Sequence, residues 1–288
     1  MGFESPTIGL ALSGGAARGM AHVGVLKALA ENDIRIDCIA GTSAGSLVGG
    51  ALASGMPLDE IEDLGRKLRW RDIGRVTMSR LGVQSNERLE QYLRARLPIS
   101  KFEELPIPLA VVATELKTGA AVIMRDRGDV PLAIRASCAI PGWYVPVVDE
   151  QGRQLVDGGL VAVVPSFVAR SLGADIVVAV DVNAAGATFI GPPSSVIGVL
   201  LQSMLVVQKT ASHYQLEMSD FVIRPQVGHI RWDEMGRADE LMAAGYEAGL
   251  ESIPGIRALI DEWMKAQPKW YQLRRRKKLI SNRGLSLP

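Results

Sequence analysis

The chain has 288 residues, of which 48% are hydrophobic and 22% are charged, and this composition excludes disordered, collagen-like and disulfide-stapled proteins. The formal net charge of +1 combines two unequal parts. Residues 265–288 carry eight basic residues and no acidic one, whereas the preceding residues carry 24 basic and 31 acidic residues, a charge of −7. Two cysteines, Cys38 and Cys138, fit no zinc-binding pattern and favour a reducing compartment. The N-terminal residues lack the features of a secretion signal, so we expect a cytoplasmic protein.

The first elements of the chain predict a strand–helix–strand unit. Residues 7–12 are an apolar run that ends in the glycine-rich segment 13–19, which indicates a buried strand entering a tight turn. A helical pattern over residues 20–30 leads to a second apolar strand at 36–40, and a helix of small residues then runs to about Ser54. This order predicts two parallel strands joined by a helical crossover.

The rest of the chain predicts one layered α/β domain. Residues 57–105 are polar and indicate a helical excursion outside the sheet, whereas residues 175–182 are almost continuously apolar, as in a central parallel strand covered on both faces. Further strands are predicted at 107–116, 121–124 and 154–156, and helices at 130–138, 160–171, 194–217, 236–251 and 255–266. This alternation predicts an α/β domain over residues 5–265, followed by a basic tail at 266–288.

A G-x-S-x-G pattern, Gly41-Thr42-Ser43-Ala44-Gly45, follows the second predicted strand directly. In a strand–turn–helix of this kind the serine hydroxyl stands above the sheet, and the glycines avoid collisions at the turn. Ser43 is therefore a candidate nucleophile. The pattern alone also occurs by chance, and a glycine turn without catalytic function is the alternative.

A second glycine-rich segment, Gly14-Gly15-Ala16-Ala17-Arg18-Gly19, lies between the first strand and the first helix. Small side chains at a helix start leave several backbone N–H groups free to converge on an anion. The segment lacks both the Lys-Ser/Thr of a Walker loop and the G-x-G-x-x-G spacing of dinucleotide-binding folds. It predicts either an oxyanion hole or a plain tight turn.

A third candidate is Asp157-Gly158-Gly159, at the end of a predicted strand, where two glycines leave the carboxylate accessible. A plain Asp-Gly turn is the alternative. The histidines of the chain are His22, His213 and His229. Two of them follow Asp157, so a Ser-Asp-His order is available, but Ser43 comes after only two strands, unlike the elbow of the usual Ser-His-Asp hydrolases. We favour a dyad in which Asp157 accepts the Ser43 proton, and this requires a partly desolvated carboxylate.

Together, the three elements resemble the patatin-like phospholipases, including catalytic domains of the neuropathy target esterase type. The resemblance covers roughly residues 5–265 and extends to the segments 22–26, 136–142 and 243–248. It implies a three-layer patatin-like α/β fold, with a mostly parallel central sheet and helices on both faces.

By resemblance, Ser43 is the nucleophile, Asp157 is the base, and Gly41 and Gly45 form the nucleophile elbow. The resemblance further implies that the amides of Gly14, Gly15 and Ala16 form the oxyanion hole and that Arg18 supports this loop. Ala16 stands where the family often has a third glycine. The implied reaction is hydrolysis of a fatty acyl ester of a phospholipid or lysophospholipid through an acyl-enzyme, with no metal and no cofactor.

Two segments bear on partners. The apolar stretch 196–207 is too short to span a bilayer and is predicted as a buried helix, with an entry flap for acyl chains or a homo-oligomer contact as alternatives. The tail carries Trp270 and Tyr271 among its bases, which suits peripheral contact with the inner face of an anionic membrane. A solvated extension is the alternative, and the acidic body disfavours nucleic-acid binding. A non-catalytic, membrane-associated adaptor or lipid sensor on the same fold is the second functional hypothesis.

Overall fold

The computed structural model describes residues 5–183, 193 and 195–266, so residues 267–288 of the basic tail lie outside the described part. Its strands are β1 (Ile8–Leu12), β2 (Cys38–Thr42), β3 (Arg75–Val76), β4 (Gly82–Ser85), β5 (Leu109–Glu115), β6 (Ala121–Met124), β7 (Gly142–Tyr144), β8 (Val147–Val148), β9 (Gln154–Asp157), β10 (Ile176–Val180) and β11 (Phe221–Ile223). Its α-helices are α1 (Met20–Glu31), α2 (Ala44–Ala53), α3 (Leu58–Lys67), α4 (Trp70–Ile73), α5 (Glu87–Arg94), α6 (Val130–Ser137), α7 (Ser166–Ser171), α8 (Val196–Leu216) and α9 (Ala238–Ala266).

The central sheet has the strand order β11-β10-β1-β2-β5-β9-β8, with β6 also paired to β5. The five strands from β11 to β5 are parallel, whereas β6 and β9 run antiparallel to β5 and β8 runs antiparallel to β9. The carboxyl ends of β1, β2 and β10 therefore meet at one edge of the sheet, where ligand sites of parallel α/β sheets lie.

Alternate residues of each central strand enter two separate hydrophobic layers. Leu10 and Leu12 of β1 pack on the face covered by α1, α2 and α9, and Ala11 packs on the opposite face against Val168 and Ala169 of α7. The second layer is built largely of alanine and valine, which lets its helix approach the sheet closely. The predicted three-layer fold with a mostly parallel sheet and helices on both faces is confirmed.

The segment predicted as a helical excursion, residues 57–105, also contains strands. β3 and β4 pair antiparallel, and β4 pairs with β7, which forms a second sheet of order β3-β4-β7. The prediction of helix alone is wrong because strands of two to four residues are too short to show an alternating pattern.

Two helix boundaries also differ from the prediction. α9 is one continuous helix that contains Pro254, where two helices were expected. Proline removes one backbone hydrogen bond, but the close packing of α9 along α1 at Gly245 and Gly249 offsets this loss. α7 begins only after Pro165, because residues 158–160 form a 3-10 turn instead of the start of the predicted helix.

The apolar stretch 196–207 forms the first half of α8, but the preferred interpretation of it as a buried helix is wrong. Val196, Leu200 and Val207 are exposed. Among the helices that the structure describes, none has the length and apolar character that crossing a membrane requires.

Candidate active site

The register of neighbouring strands brings the three sequence motifs together. Thr42, the last residue of β2, pairs with Val112 of β5, and the next residue of β5 pairs with Asp157. On the other side of β2, Leu12 of β1 pairs with Gly41. The glycine-rich loop after β1, Ser43 after β2 and Asp157 at the end of β9 therefore share one edge of the sheet.

Ser43 occupies a strained turn between β2 and α2. Its φ of +51° and ψ of −121° lie outside the regions favoured for side-chain-bearing residues, at a cost of about 1–3 kcal/mol. A Cβ at Gly41 would lie 2.6 Å from the Cα of Ser46, so the turn admits only glycine there. The Ser43 N–H donates to Ser137 Oγ at 2.8 Å, and the Ser137 hydroxyl donates to the Val112 carbonyl at 2.6 Å. Ser137 thereby ties the strained turn to β5.

Asp157 is a buried carboxylate beside Ser43. Only 4% of the residue is exposed, and its Oδ1 accepts a hydrogen bond from the Gly159 N–H at 2.8 Å. Burial raises the pKa of Asp157 to about 6, although the nearby Ser43 hydroxyl and the hydrogen bond from the Gly159 N–H oppose this shift. The carboxylate is therefore a stronger base than an ordinary aspartate and is still ionised above neutral pH.

The loop Gly14–Gly19 lies against Ser43, since a Cβ at Gly14 would be 3.4 Å from the Cβ of Ser43. The Gly14 N–H already donates to the Val163 carbonyl at 3.0 Å, so the prediction that it serves as an oxyanion donor is not supported. Within the described residues, the N–H groups of Gly15 and Ala16 have no hydrogen-bond partner. Ala16 adopts the left-handed φ of +49°, which explains why a glycine suits this position.

The glycine-rich loop is held from two sides. Asn183, after β10, donates from Nδ2 to the Gly14 carbonyl at 2.6 Å. On the other side, Arg18 Nε donates to the Ile230 carbonyl at 2.7 Å, and the Ala17 N–H donates to the Trp232 carbonyl at 2.9 Å. The Arg18 side chain is buried, and this burial lowers its pKa. Arg18 thus anchors the start of the first helix to a distant loop.

No described histidine forms a hydrogen bond with Ser43 or Asp157. His22 is fully buried, which lowers its pKa to about 4, and its Nε2 lies 2.8 Å from the Ser13 carbonyl. His229 pairs with Glu240 at 2.9 Å, and His213 packs edge-on against Tyr214. Among the described residues, no three His, Cys, Asp or Glu side chains cluster as a metal site requires.

Sequence reasoning missed three residues of the site. Ser137 and Cys138 lie in the segment 136–142 noted for its resemblance, but the Ser137 hydrogen bonds reach the Ser43 turn and β5, far away in sequence. The Cys138 thiol lies near Asp157, and burial together with the Asp157 charge raises its pKa, so the thiol stays protonated. Asn183 gave no local signal apart from its position after a central strand.

A family model described as patatin-like phospholipase matches residues 10–170, more than half of the chain. The chain belongs to the patatin-like phospholipase family. The matched range contains the elbow, the glycine-rich loop and Asp157, so the residues assembled at this edge of the sheet are those of the patatin-like region itself.

Relatives of this patatin-like protein occur in bacteria and animals. An uncharacterized NTE family protein of Mycobacterium tuberculosis is 40% identical over 185 residues, which are 63% of this chain and 51% of the relative. Patatin-like phospholipase domain-containing protein 7 of Mus musculus is 28% identical over 299 residues, covering 90% of this chain and 21% of the mouse protein. The chain thus spans about half the length of the mycobacterial relative.

The solved structure of VipD from Legionella pneumophila is similar in fold to this patatin-like protein. The superposition has a TM-score of 0.60 at 15% sequence identity and covers 90% of this chain and 67% of VipD. At this identity the similarity concerns the fold alone.

Proposed function

We propose that the protein is a serine acyl hydrolase that cleaves fatty acyl esters of phospholipids or lysophospholipids. The observation that carries the proposal is the buried carboxylate of Asp157, with a pKa of about 6, close to Ser43 in its strained turn. The amides of Gly15 and Ala16 on the adjoining loop, which have no hydrogen-bond partner among the described residues, and membership of the patatin-like phospholipase family support it. Residues 5–265 form the hydrolase domain, and the basic tail 266–288 contacts an anionic membrane.

In the first half-reaction the Ser43 oxygen attacks the ester carbonyl carbon while Asp157 takes up the hydroxyl proton. The N–H groups of Gly15 and Ala16 donate to the oxyanion of the tetrahedral intermediate. Cleavage of the carbon–oxygen ester bond leaves the acyl group on Ser43, and protonated Asp157 returns its proton to the departing alkoxide.

In the second half-reaction water attacks the acyl carbon and gives a proton to Asp157. The fatty acid leaves, and the Ser43 oxygen regains its proton from Asp157, which restores the starting state. Because Asp157 must be ionised in both attacks, activity rises as the pH increases through about 6.

Site-directed variants test this proposal. We expect Ser43→Ala and Asp157→Asn each to lower ester hydrolysis by at least about a thousandfold. His213→Ala and His229→Ala serve as controls and keep most activity, since neither histidine contacts the site. Loss of activity in the histidine variants would contradict the dyad. Mass spectrometry of the products from phospholipids and lysophospholipids, with Ser43→Ala in parallel, identifies the substrate and the bond cleaved.

The adaptor hypothesis makes the opposite prediction for covalent labelling. A fluorophosphonate reacts with an activated serine and forms a stable adduct on its oxygen. Labelling of the wild type but not of Ser43→Ala or Asp157→Asn supports the hydrolase, and an unlabelled wild type that nevertheless binds lipid supports the adaptor.

A further inference from the structure

Helix α8 exposes an apolar stripe. On its outward face Val196 is 78% exposed, Leu200 and Val207 are each 59% exposed, and Tyr214 is 67% exposed. Together with the exposed Val199 and Val206, these positions fall within about a third of the helix circumference at 100° per residue, a sector that also holds Ser203 and Thr210. A stripe of this width ordinarily faces the protein core, and here it faces away from it.

The inward face of α8 combines apolar and polar side chains: Leu201 and Met204 pack against the main hydrophobic core, and two glutamines lie beside them. Gln215 accepts from the Val164 N–H at 2.9 Å and donates to the Val161 carbonyl at 3.0 Å. Gln208 contacts Gly159, next to the candidate base Asp157. The two hydrogen bonds of Gln215 fix the orientation of the helix, so the apolar stripe cannot turn inward without breaking them. The stripe therefore lies on the outer side of a helix whose inner side contacts the residue next but one to Asp157.

The β3–β4 hairpin is a second exposed apolar segment, and it lies near α8. In the β3–β4 hairpin, Val76 is 73% exposed, and the side chains of Met78 and Leu81 are also largely exposed. β4 pairs with β7, and α8 contacts β7, so β7 lies between the two apolar surfaces.

The charged residues of both segments are all basic. Residues 195–216 contain Lys209 and no acidic residue, and residues 73–86 contain Arg75 and Arg80 and no acidic residue. The rest of the chain before the tail is acidic overall. Both segments place exposed apolar side chains next to basic residues, although the protein before the tail is acidic. This combination complements an anionic lipid bilayer, which has an apolar interior and negatively charged headgroups.

We propose that the outward face of α8, together with the β3–β4 hairpin, is the surface that docks on an anionic lipid bilayer. The α8 stripe inserts among the acyl chains, and Lys209, Arg75 and Arg80 meet the anionic headgroups. This proposal rests on the proposed function in one respect, that the substrate is a membrane lipid beside this surface. It differs from the tail contact because it places the apolar insertion on the folded domain.

The test compares two matched double variants of the full chain, each in a Ser43→Ala background so that vesicles stay intact. Leu200→Gln with Val207→Gln alters the α8 stripe, and Leu116→Gln with Leu250→Gln alters two exposed apolar side chains elsewhere. Sedimentation with vesicles of phosphatidylcholine and phosphatidylglycerol measures binding. We expect the α8 pair to bind at least about tenfold more weakly, because two apolar side chains that would insert into the bilayer are lost, and the control pair to bind within about twofold of the parent.

Three outcomes decide the question. Equal binding by the α8 pair and the control pair overturns the proposal, and since both retain residues 268–288, it assigns vesicle binding to the tail. A concentration-dependent dimer in light scattering, which Leu200→Gln dissociates, also overturns it and assigns the stripe to a second copy of the chain. Weaker vesicle binding by the α8 pair alone supports it. Hydrolysis of a soluble short-chain ester, measured with Ser43 restored, tests the proposed function separately.

Discussion

At the scale of single residues, the orientation of one peptide group decides whether the glycine-rich loop can stabilise an oxyanion. The carbonyl of Gly14 and the N–H of Gly15 belong to the same planar trans peptide, so they point in opposite directions. Asn183 holds the carbonyl at 2.6 Å. We therefore expect Asn183 to be a positioning residue that aims the Gly15 N–H away from β10.

Removal of the Asn183 amide frees this peptide to rotate. We expect Asn183→Ala to lower kcat by about ten- to a hundredfold with little change in KM, because the oxyanion forms only in the transition state. The affinity for a trifluoromethyl ketone, which forms a tetrahedral oxyanion on the serine, falls in parallel with kcat/KM.

A matched control lies at the end of α1 opposite to the glycine-rich loop, where Asn32 Nδ2 donates to the Ala28 carbonyl at 2.9 Å. Asn32→Ala removes the same kind of bond and leaves kcat unchanged. A change in KM alone for Asn183→Ala, or equal effects in the two variants, would contradict the positioning role.

The residues of the candidate site divide by the range of their interactions. Ser43 and Asp157 stand out in the sequence because local glycines mark their turns. The bond of the Gly14 N–H to Val163 spans nearly the whole of the matched region and leaves no local pattern, so the sequence alone predicts a free amide there. Ser137 and Asn183 give no local pattern for the same reason, since both act through hydrogen bonds to distant segments.

At the scale of elements, α1 and α9 cross at a contact made by glycines. A Cβ on Gly24 would overlap the Met242 carbonyl oxygen, and one on Gly245 would overlap the Ala21 carbonyl oxygen. The two backbones can approach this closely only without side chains at the crossing. Packing at this crossing also accounts for the continuity of α9 through Pro254.

Gly24→Ala is expected to lower the free energy of unfolding by about 1–3 kcal/mol, since the overpacked backbones must separate. This loss outweighs the roughly 1 kcal/mol that alanine gains over glycine in helix propensity. Urea denaturation measures the difference. Gly236→Ala is the control, because no atom lies within 4 Å of a Cβ there. A Gly24→Ala variant as stable as the wild type would show that the helices are not in close contact.

The elements that could be predicted from the sequence are those whose burial sets their pattern. The central strands β1, β2 and β10 are apolar because both faces are covered, and their positions agree with the predicted runs. β3 and β4 have too few residues to show an alternating apolar pattern. The sequence predicts two helices in place of α9 because a proline such as Pro254 normally ends a helix. The prediction that the stretch 196–207 is buried was wrong because an apolar stretch normally indicates burial, whereas part of this one faces outward.

At the scale of the whole molecule, two buried groups give stability opposite dependences on pH. The pKa of Asp157 is raised from 3.8 to about 6, so this residue destabilises the fold progressively as the pH rises from about 4 to 6. The pKa of His22 is lowered from 6.5 to about 4, so this residue destabilises the fold as the pH falls from about 6.5 to 4. Each effect reaches about 3 kcal/mol, and the two offset each other over the same range.

Asp157→Asn removes one side of this balance. Above pH 6 we expect the variant to be more stable than the wild type by up to about 3 kcal/mol, because it no longer buries a charge. As the pH falls from 7 to about 4.5, the uncompensated protonation of His22 makes the variant lose stability while the wild type changes little. Urea denaturation across this range measures both slopes, with substitution of the exposed Asp59 by Asn as the control for loss of a negative charge. If the free energy of unfolding had the same pH dependence in the variant and the wild type, the pKa of Asp157 would not be raised by burial. A variant that is inactive yet more stable would instead show that the molecule gives up stability to keep an ionised carboxylate beside Ser43.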